Sequence, residues 1–132
     1  MSSLLDLHLD AVPDLSIVPG GEEYQLRITA AKIKPSKSSS RDVLEVIAEI
    51  NGQTNAKNIF INHAFPLPED DERKRNNLLR NIKDLCSCFG LDPANPGNPE
   101  EWAGLEGWAV LKVGTRESGE EVNEVARYIS KR

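Results

Sequence analysis

Two hydrophobic rhythms divide this chain. From residue 22 to residue 64 apolar side chains recur at every second position; from 78 to 89 they recur every third or fourth; beyond 107 the period returns to two. In EEYQLRITAAKI, Tyr24, Leu26, Ile28 and Ala30 fall on one side and Gln25, Arg27, Thr29 and Ala31 on the other, which predicts a half-buried first strand. KPSKSSSR follows as a loop, because Pro and Ser clusters favour turns. DVLEVIAEI predicts a second strand, with Leu44, Val46, Ala48 and Ile50 opposed to Val43, Glu45, Ile47 and Glu49. Asn51-Gly52 is a tight-turn signal. KNIFINHAF predicts a third strand, ended by Pro66 and Pro68. Ile59 and Ile61 share its face with His63, and Phe60 shares the other with Asn58 and Asn62.

The longer period places Leu78, Leu79, Ile82, Leu85, Cys86 and Phe89 on one face of an amphipathic helix. The acidic run EDDE at 69–72 complements the helix dipole, and Gly90 sits where a C-terminal cap belongs. In the following Pro- and Asn-rich loop, Asn98 can cap a short helix, with Pro99 at its first position and Glu101 closing a capping box. Gly107 opens a fourth strand, WAVLKV; GTRESGEE reads as a hairpin loop; VNEVARYI is a fifth strand. Three strands, a helix and two strands form the order of an OB-fold, a five-stranded Greek-key barrel that is all-β apart from one main helix between strands three and four. The alternative is another small barrel, or an α+β sheet with one covering helix. The length fits one domain, so residues 1–21 read as an acidic N-terminal arm and 22–132 as a single OB-fold domain.

Charge sharpens that division. The formal net charge is -5, and residues 1–23 hold Asp6, Asp10, Asp14, Glu22 and Glu23 with no Lys or Arg. The arm and its junction therefore carry the whole excess, and residues 24–132 balance to zero. A local basic surface is compatible with that balance. No apolar run is long enough for a membrane span, and the start lacks the basic region of a secretory signal. Cys86 and Cys88, beside the helical apolar stripe, read as core thiols kept reduced, as in a cytoplasm.

Candidate chemistry points to binding. There is no Gly-rich phosphate loop, metal-binding helix pattern or nucleophile elbow. EDDE reads as a helix start rather than a metal cage, and His63 as structural. No enzymatic activity, cofactor or metal is expected. The loop between strands one and two offers Lys34, Lys37 and Arg41, with Lys32 just before it; the loop between strands four and five offers Arg116; the strands and their ends add Arg27, Lys57 and Lys112. Single-strand binders combine such a positive track with aromatic platforms on which bases stack. Phe60, set between polar neighbours, is the leading platform; Trp108 and Tyr128 are further candidates that equally suit a core or barrel end. Neutralising about four phosphates predicts a salt slope of roughly -3 in log affinity. Glu45 and Glu49 on the same face would repel phosphate, and they favour the competing reading of a protein–protein interaction module.

The chain resembles phage-encoded single-stranded DNA-binding proteins of a family long catalogued as a domain of unknown function. PGGEEYQLRIT is similar to that family's opening into strand one, and KIKPSKSSSRDVLEVIAEING to its Lys/Ser-rich loop, second strand and turn. NIFINHAF, LLRNIKDLCSCFGLD, LEGWAVLKVG and EVNEVARYI resemble its third strand, helix, fourth strand and closing strand. The likeness spans about residues 18–130. It implies an OB-fold and a non-enzymatic, largely sequence-independent role on single-stranded DNA in phage replication, recombination or repair. It also implies work in the cytoplasm of an infected bacterium, with phage recombination or replication proteins as partners; self-association is left open. The opening turn has an extra Gly, and the sequence ends in RYISKR instead of the acidic tail many single-strand binders use for recruitment.

Overall fold

The computed structural model describes residues 4–36 and 40–130. Its centre is one antiparallel sheet of five strands: β1 (Glu23–Pro35), β2 (Asp42–Ile50), β3 (Ile59–Ala64), β4 (Glu106–Thr115) and β5 (Glu121–Tyr128). The spatial order is β3-β2-β1-β4-β5. A helix, α1 (Glu72–Cys88), lies between β3 and β4 in the chain, and short 3₁₀ turns occupy Leu4–Leu7, Leu9–Ala11 and Pro99–Glu101. No helix among the described residues is long and apolar enough to cross a membrane.

β1 serves both halves of the sheet. Its residues 23–27 pair with β4 and its residues 26–35 with β2. A bulge lets one strand bend between two partners. Thr29 is the extra residue, set between the pairs Ile28–Ala48 and Ala30–Ile47. Its hydroxyl donates to the Ile47 carbonyl at 3.1 Å. The bulge corrects the simple alternation expected of this strand: beyond it Ala30 is exposed and Ala31 is buried. β1 also runs to Pro35, past the expected loop boundary, and the Ser36 N–H closes the connection on the Arg41 carbonyl at 2.9 Å. A second bulge, at Ala126, separates the pairs Val110–Arg127 and Leu111–Val125.

The sheet curls around its own apolar face. Leu26, Ile28, Leu44, Val46, Ile59, Ile61 and Leu111 fill the interior, and Leu85 and Cys88 of α1, with Phe89 just past its end, pack against them. The helix start follows from its sequence: Asp71 accepts from the Lys74 N–H at 2.7 Å. Its end does too. Leu91 N–H bonds the Cys86 carbonyl at 2.8 Å and Gly90 N–H the Ser87 carbonyl at 3.4 Å, with Gly90 at φ 75°. That pairing is a Schellman motif, which needs a left-handed residue after the last turn. Both cysteines are buried, the Cys88 thiol donates to the Trp108 carbonyl at 3.2 Å, and burial pushes the Cys86 thiol up, so it stays protonated. Trp102 anchors the short turn after Asn98, with its indole N–H on the Pro96 carbonyl at 2.9 Å. Asn98 caps that turn through the Glu100 N–H at 3.1 Å.

The sheet does not close. Among the described residues β3 and β5 are its two edges and share no backbone ladder. Side chains bridge the gap where a closing ladder would stand. His63 Nε2 and the Tyr128 hydroxyl share a hydrogen bond at 2.8 Å, and Lys57 Nζ donates to the Glu121 carbonyl at 3.1 Å.

The arm joins the sheet at several points, among them the Gly21 N–H on the Leu111 carbonyl at 2.8 Å. Ser16 bridges to Ala56 in parallel, and Val18 is buried against Asn123.

Candidate nucleic-acid interface

Cross-strand register builds a platform on the outer face of β1, β2 and β3. Ala30 pairs with Ile47 and Ile47 with Phe60, so three apolar residues form one row. The next row is Lys32, Glu45 and Asn62. On the other side, Arg27 pairs with Glu49. Phe60 stands out from this face with 47% of its surface exposed. The Arg116 guanidinium, from the β4–β5 connection, sits 5.5 Å from the Phe60 ring centroid. An exposed cation–π contact of this kind is worth about 0.5–1 kcal/mol. Phe60, Arg116, Asn58, Asn62 and Glu124 line a cleft of about 270 Å³ between the β3 and β5 edges. A second cleft, of about 530 Å³, shares Phe60, Asn62 and Glu124 and continues past His63, Arg127 and Tyr128 to Asp84 on α1.

The expected cations are distributed differently from a simple positive track. Arg116 and Lys57 both approach Glu120, each at 3.7 Å. Arg27 lies 3.8 Å from Glu49. Lys34, on β1, is bonded to Glu45. Arg41 is turned away from solvent, its fork spanning both carboxylate oxygens of Asp70 at 2.5 and 2.6 Å and its Nη1 also donating to the Phe65 carbonyl. Only 15% of the Arg41 side chain and 4% of the Asp70 side chain are exposed. Arg41 thus ties the β1–β2 connection to the segment that enters α1. Lys32 and Lys112 carry no ion pair among the described residues, although Lys112 pairs in register with Glu124. Lys37 lies outside the described residues.

The aromatic candidates separate as well. Trp108 is exposed on β4 opposite Gln25, and it lines a cleft of about 540 Å³ with Glu23 and Glu106, which does not include Phe60. Tyr128 is half-buried at the edge of the core with its hydroxyl on His63. Burial holds the His63 imidazole below its usual value, against the opposing field of Asp84, so the ring is neutral at pH 7. Burial pushes the Tyr128 phenol up, so it keeps its proton.

Sequence reasoning placed Phe60 and Arg116 on the interface but did not bring them together. It already set Ile47 on the outer face with Glu45 and Glu49, but it missed Ala30 beside Ile47 and Phe60, because the Thr29 bulge shifts β1 by one residue. The capture of Arg41 by Asp70 had no local signal: the partners are 29 residues apart. Among the described residues no group of three or more His, Cys, Asp or Glu comes together as a metal site. No protein-family model and no curated protein matches this chain.

Proposed function

We propose that the protein binds single-stranded DNA on the outer face of β1–β3, with little dependence on sequence. The observation that carries this is the half-exposed Phe60, standing at the β3 edge of that face beside the Arg116 guanidinium and flanked by Asn58 and Asn62. An aromatic ring with a cation alongside and amides at its edges suits a stacked base and its phosphate, because every base presents a π face. Arg116, Lys32 and Lys57 supply positive charge around the platform, and Arg27 and Lys34 do so once released from their carboxylates. The strand order, with β3 and β5 as facing edges and a helix between β3 and β4, supports an OB-type barrel as the frame. Work on phage DNA in replication, recombination or repair belongs to this reading through the family resemblance.

A protein–protein module is the second reading. It draws support from the pairing of Arg27, Lys34, Lys57 and Arg116 with carboxylates. Anisotropy of a labelled oligo-dT at low salt separates the two. The DNA reading expects binding by the wild type and a loss of about 1–3 kcal/mol in Phe60→Ala, roughly 5- to 150-fold, with folding unchanged. Absence of wild-type binding to a long oligomer, or an unaffected Phe60→Ala, sinks it.

A further inference from the structure

The arm presents large apolar side chains to solvent: Leu7, Leu9, Val12 and Leu15 are each more than half exposed. Asp6, Asp10 and Asp14 alternate with them. An acidic, apolar segment of this kind needs an apolar surface with a basic rim. One exists on the other end of the molecule. A groove of about 590 Å³ runs between α1 and the Pro-rich segment after it, with Leu79, Ile82, Pro93 and Pro96 as its apolar lining. Arg80 and Lys83 stand at it against a single carboxylate, Asp84.

The other clefts have the wrong charge for the arm. The cleft at Trp108 holds Glu23 and Glu106 with no Lys or Arg. The two clefts between β3 and β5 set Arg127 against Asp84 and Glu124, and Arg116 against Glu124. The cleft at the arm's own root holds Glu49 and no cation. Among these, the α1 groove alone has cations in excess.

Among the described residues, none of the chain's own arm lines that groove. Its root is fixed far along the fold: Ser16 N–H bonds the Asn55 carbonyl and Lys57 N–H the Ser16 carbonyl, both at 2.8 Å, just before β3 begins. α1 follows the opposite end of β3. We infer that the α1 groove receives the acidic arm of a second copy of this chain. Reciprocal exchange gives a two-fold dimer in which the same pair of surfaces meets twice. The inference does not depend on DNA binding.

Light scattering after size exclusion, together with sedimentation equilibrium of the full chain, tests it. The wild type is expected to be a dimer. Arg80→Glu/Lys83→Glu, and separately Leu9→Ser/Val12→Ser/Leu15→Ser, should each weaken dimerisation roughly tenfold or more. All five positions are exposed, so far-UV circular dichroism should stay as in the wild type. Combining Arg80→Glu/Lys83→Glu with Asp6→Lys/Asp10→Lys/Asp14→Lys should restore the dimer by reversing both charges. A monomeric wild type, a dimer that survives either disruptive set, or a charge swap without rescue overturns the inference.

Discussion

Removing the Asn123 side chain should destabilise the whole fold, although it lies near the end of the chain. Asn123 is 3% exposed. Its Oδ1 accepts from the Val18 N–H at 2.8 Å, and its Nδ2 donates to the Val18 carbonyl at 2.9 Å. The side chain thereby acts as a short strand partner for the arm. Val18 is itself buried, so Asn123→Ala leaves both of its backbone groups without their partner. Each buried polar group so orphaned costs about 1–3 kcal/mol. The remaining contact, to the Lys112 carbonyl, is long at 3.4 Å and adds little. Two orphans, partly relieved by water entering beside exposed Lys112, give a loss of about 3 kcal/mol. Urea unfolding followed by tryptophan fluorescence should show a lower midpoint with an unchanged slope. The melting temperature should drop on the order of 10 °C. Asn123→Asp keeps the acceptor for the Val18 N–H and sets an oxygen against the Val18 carbonyl, so it too should be destabilised. An aspartate variant as stable as the wild type, or an alanine variant with an unshifted midpoint, refutes the reasoning.

Two further outcomes follow from the pairings around α1. The Arg41 fork and the Leu67 N–H hold the Asp70 carboxyl well below the usual carboxylate range. Its stabilising contribution is therefore complete above about pH 4 and lost as pH falls through that value toward the lowered one. Urea midpoints taken down to about pH 3 should fall more steeply for the wild type than for Asp70→Asn, and parallel curves would contradict this. Gly107→Ala would set a Cβ 2.5 Å from the Cys88 carbonyl oxygen and 2.8 Å from its sulfur, forcing the end of α1 off β4. Thermal denaturation should register about 1–3 kcal/mol or more of overpacking. Gly114→Ala, which meets only the movable tip of Glu124, should lose much less, and equal losses in the two variants would count against the steric account.

The period-two and period-three-to-four stretches were legible because each residue's side of a strand or helix is a local property. All five strands and the helix appear where the pattern puts them, and the Gly90 and Asn98 signals became real caps. The Thr29 bulge was not legible. Nothing in RITAAKI distinguishes one inserted residue from regular alternation, since Thr, Ala and Ala suit either side of a strand. Closure was not legible either, because it depends on how two edges more than fifty residues apart meet. In the candidate site, the exposure of Phe60 followed from Asn58 and Asn62. The fate of Arg41 did not: its serine-rich neighbourhood read as a loop offering cations, while the carboxylate that captures it was assigned in the sequence to a helix start.

The same pairings change what DNA binding should look like. Arg27, Lys34, Lys57 and Arg116 each stand in an ion pair, so a phosphate approaching the outer face meets cations most of which already have partners. Freeing Lys34 exposes Glu45, and freeing Arg27 exposes Glu49; each exchange returns a negative charge to the surface and gains little. Two sources of excess charge remain. Lys32 carries no ion pair among the described residues, and Lys57 and Arg116 share the one carboxylate of Glu120, which leaves one of the two for a phosphate even with Glu124 lining the same cleft. Arg41, bound in Asp70, supplies none. About two phosphates neutralised, instead of four, correspond to a salt slope of roughly -1.4 rather than -3. The affinity of this face would then rest more on stacking at Phe60 than on charge, which is why the Phe60 substitution, and not a charge substitution in the β1–β2 loop, is the decisive variant.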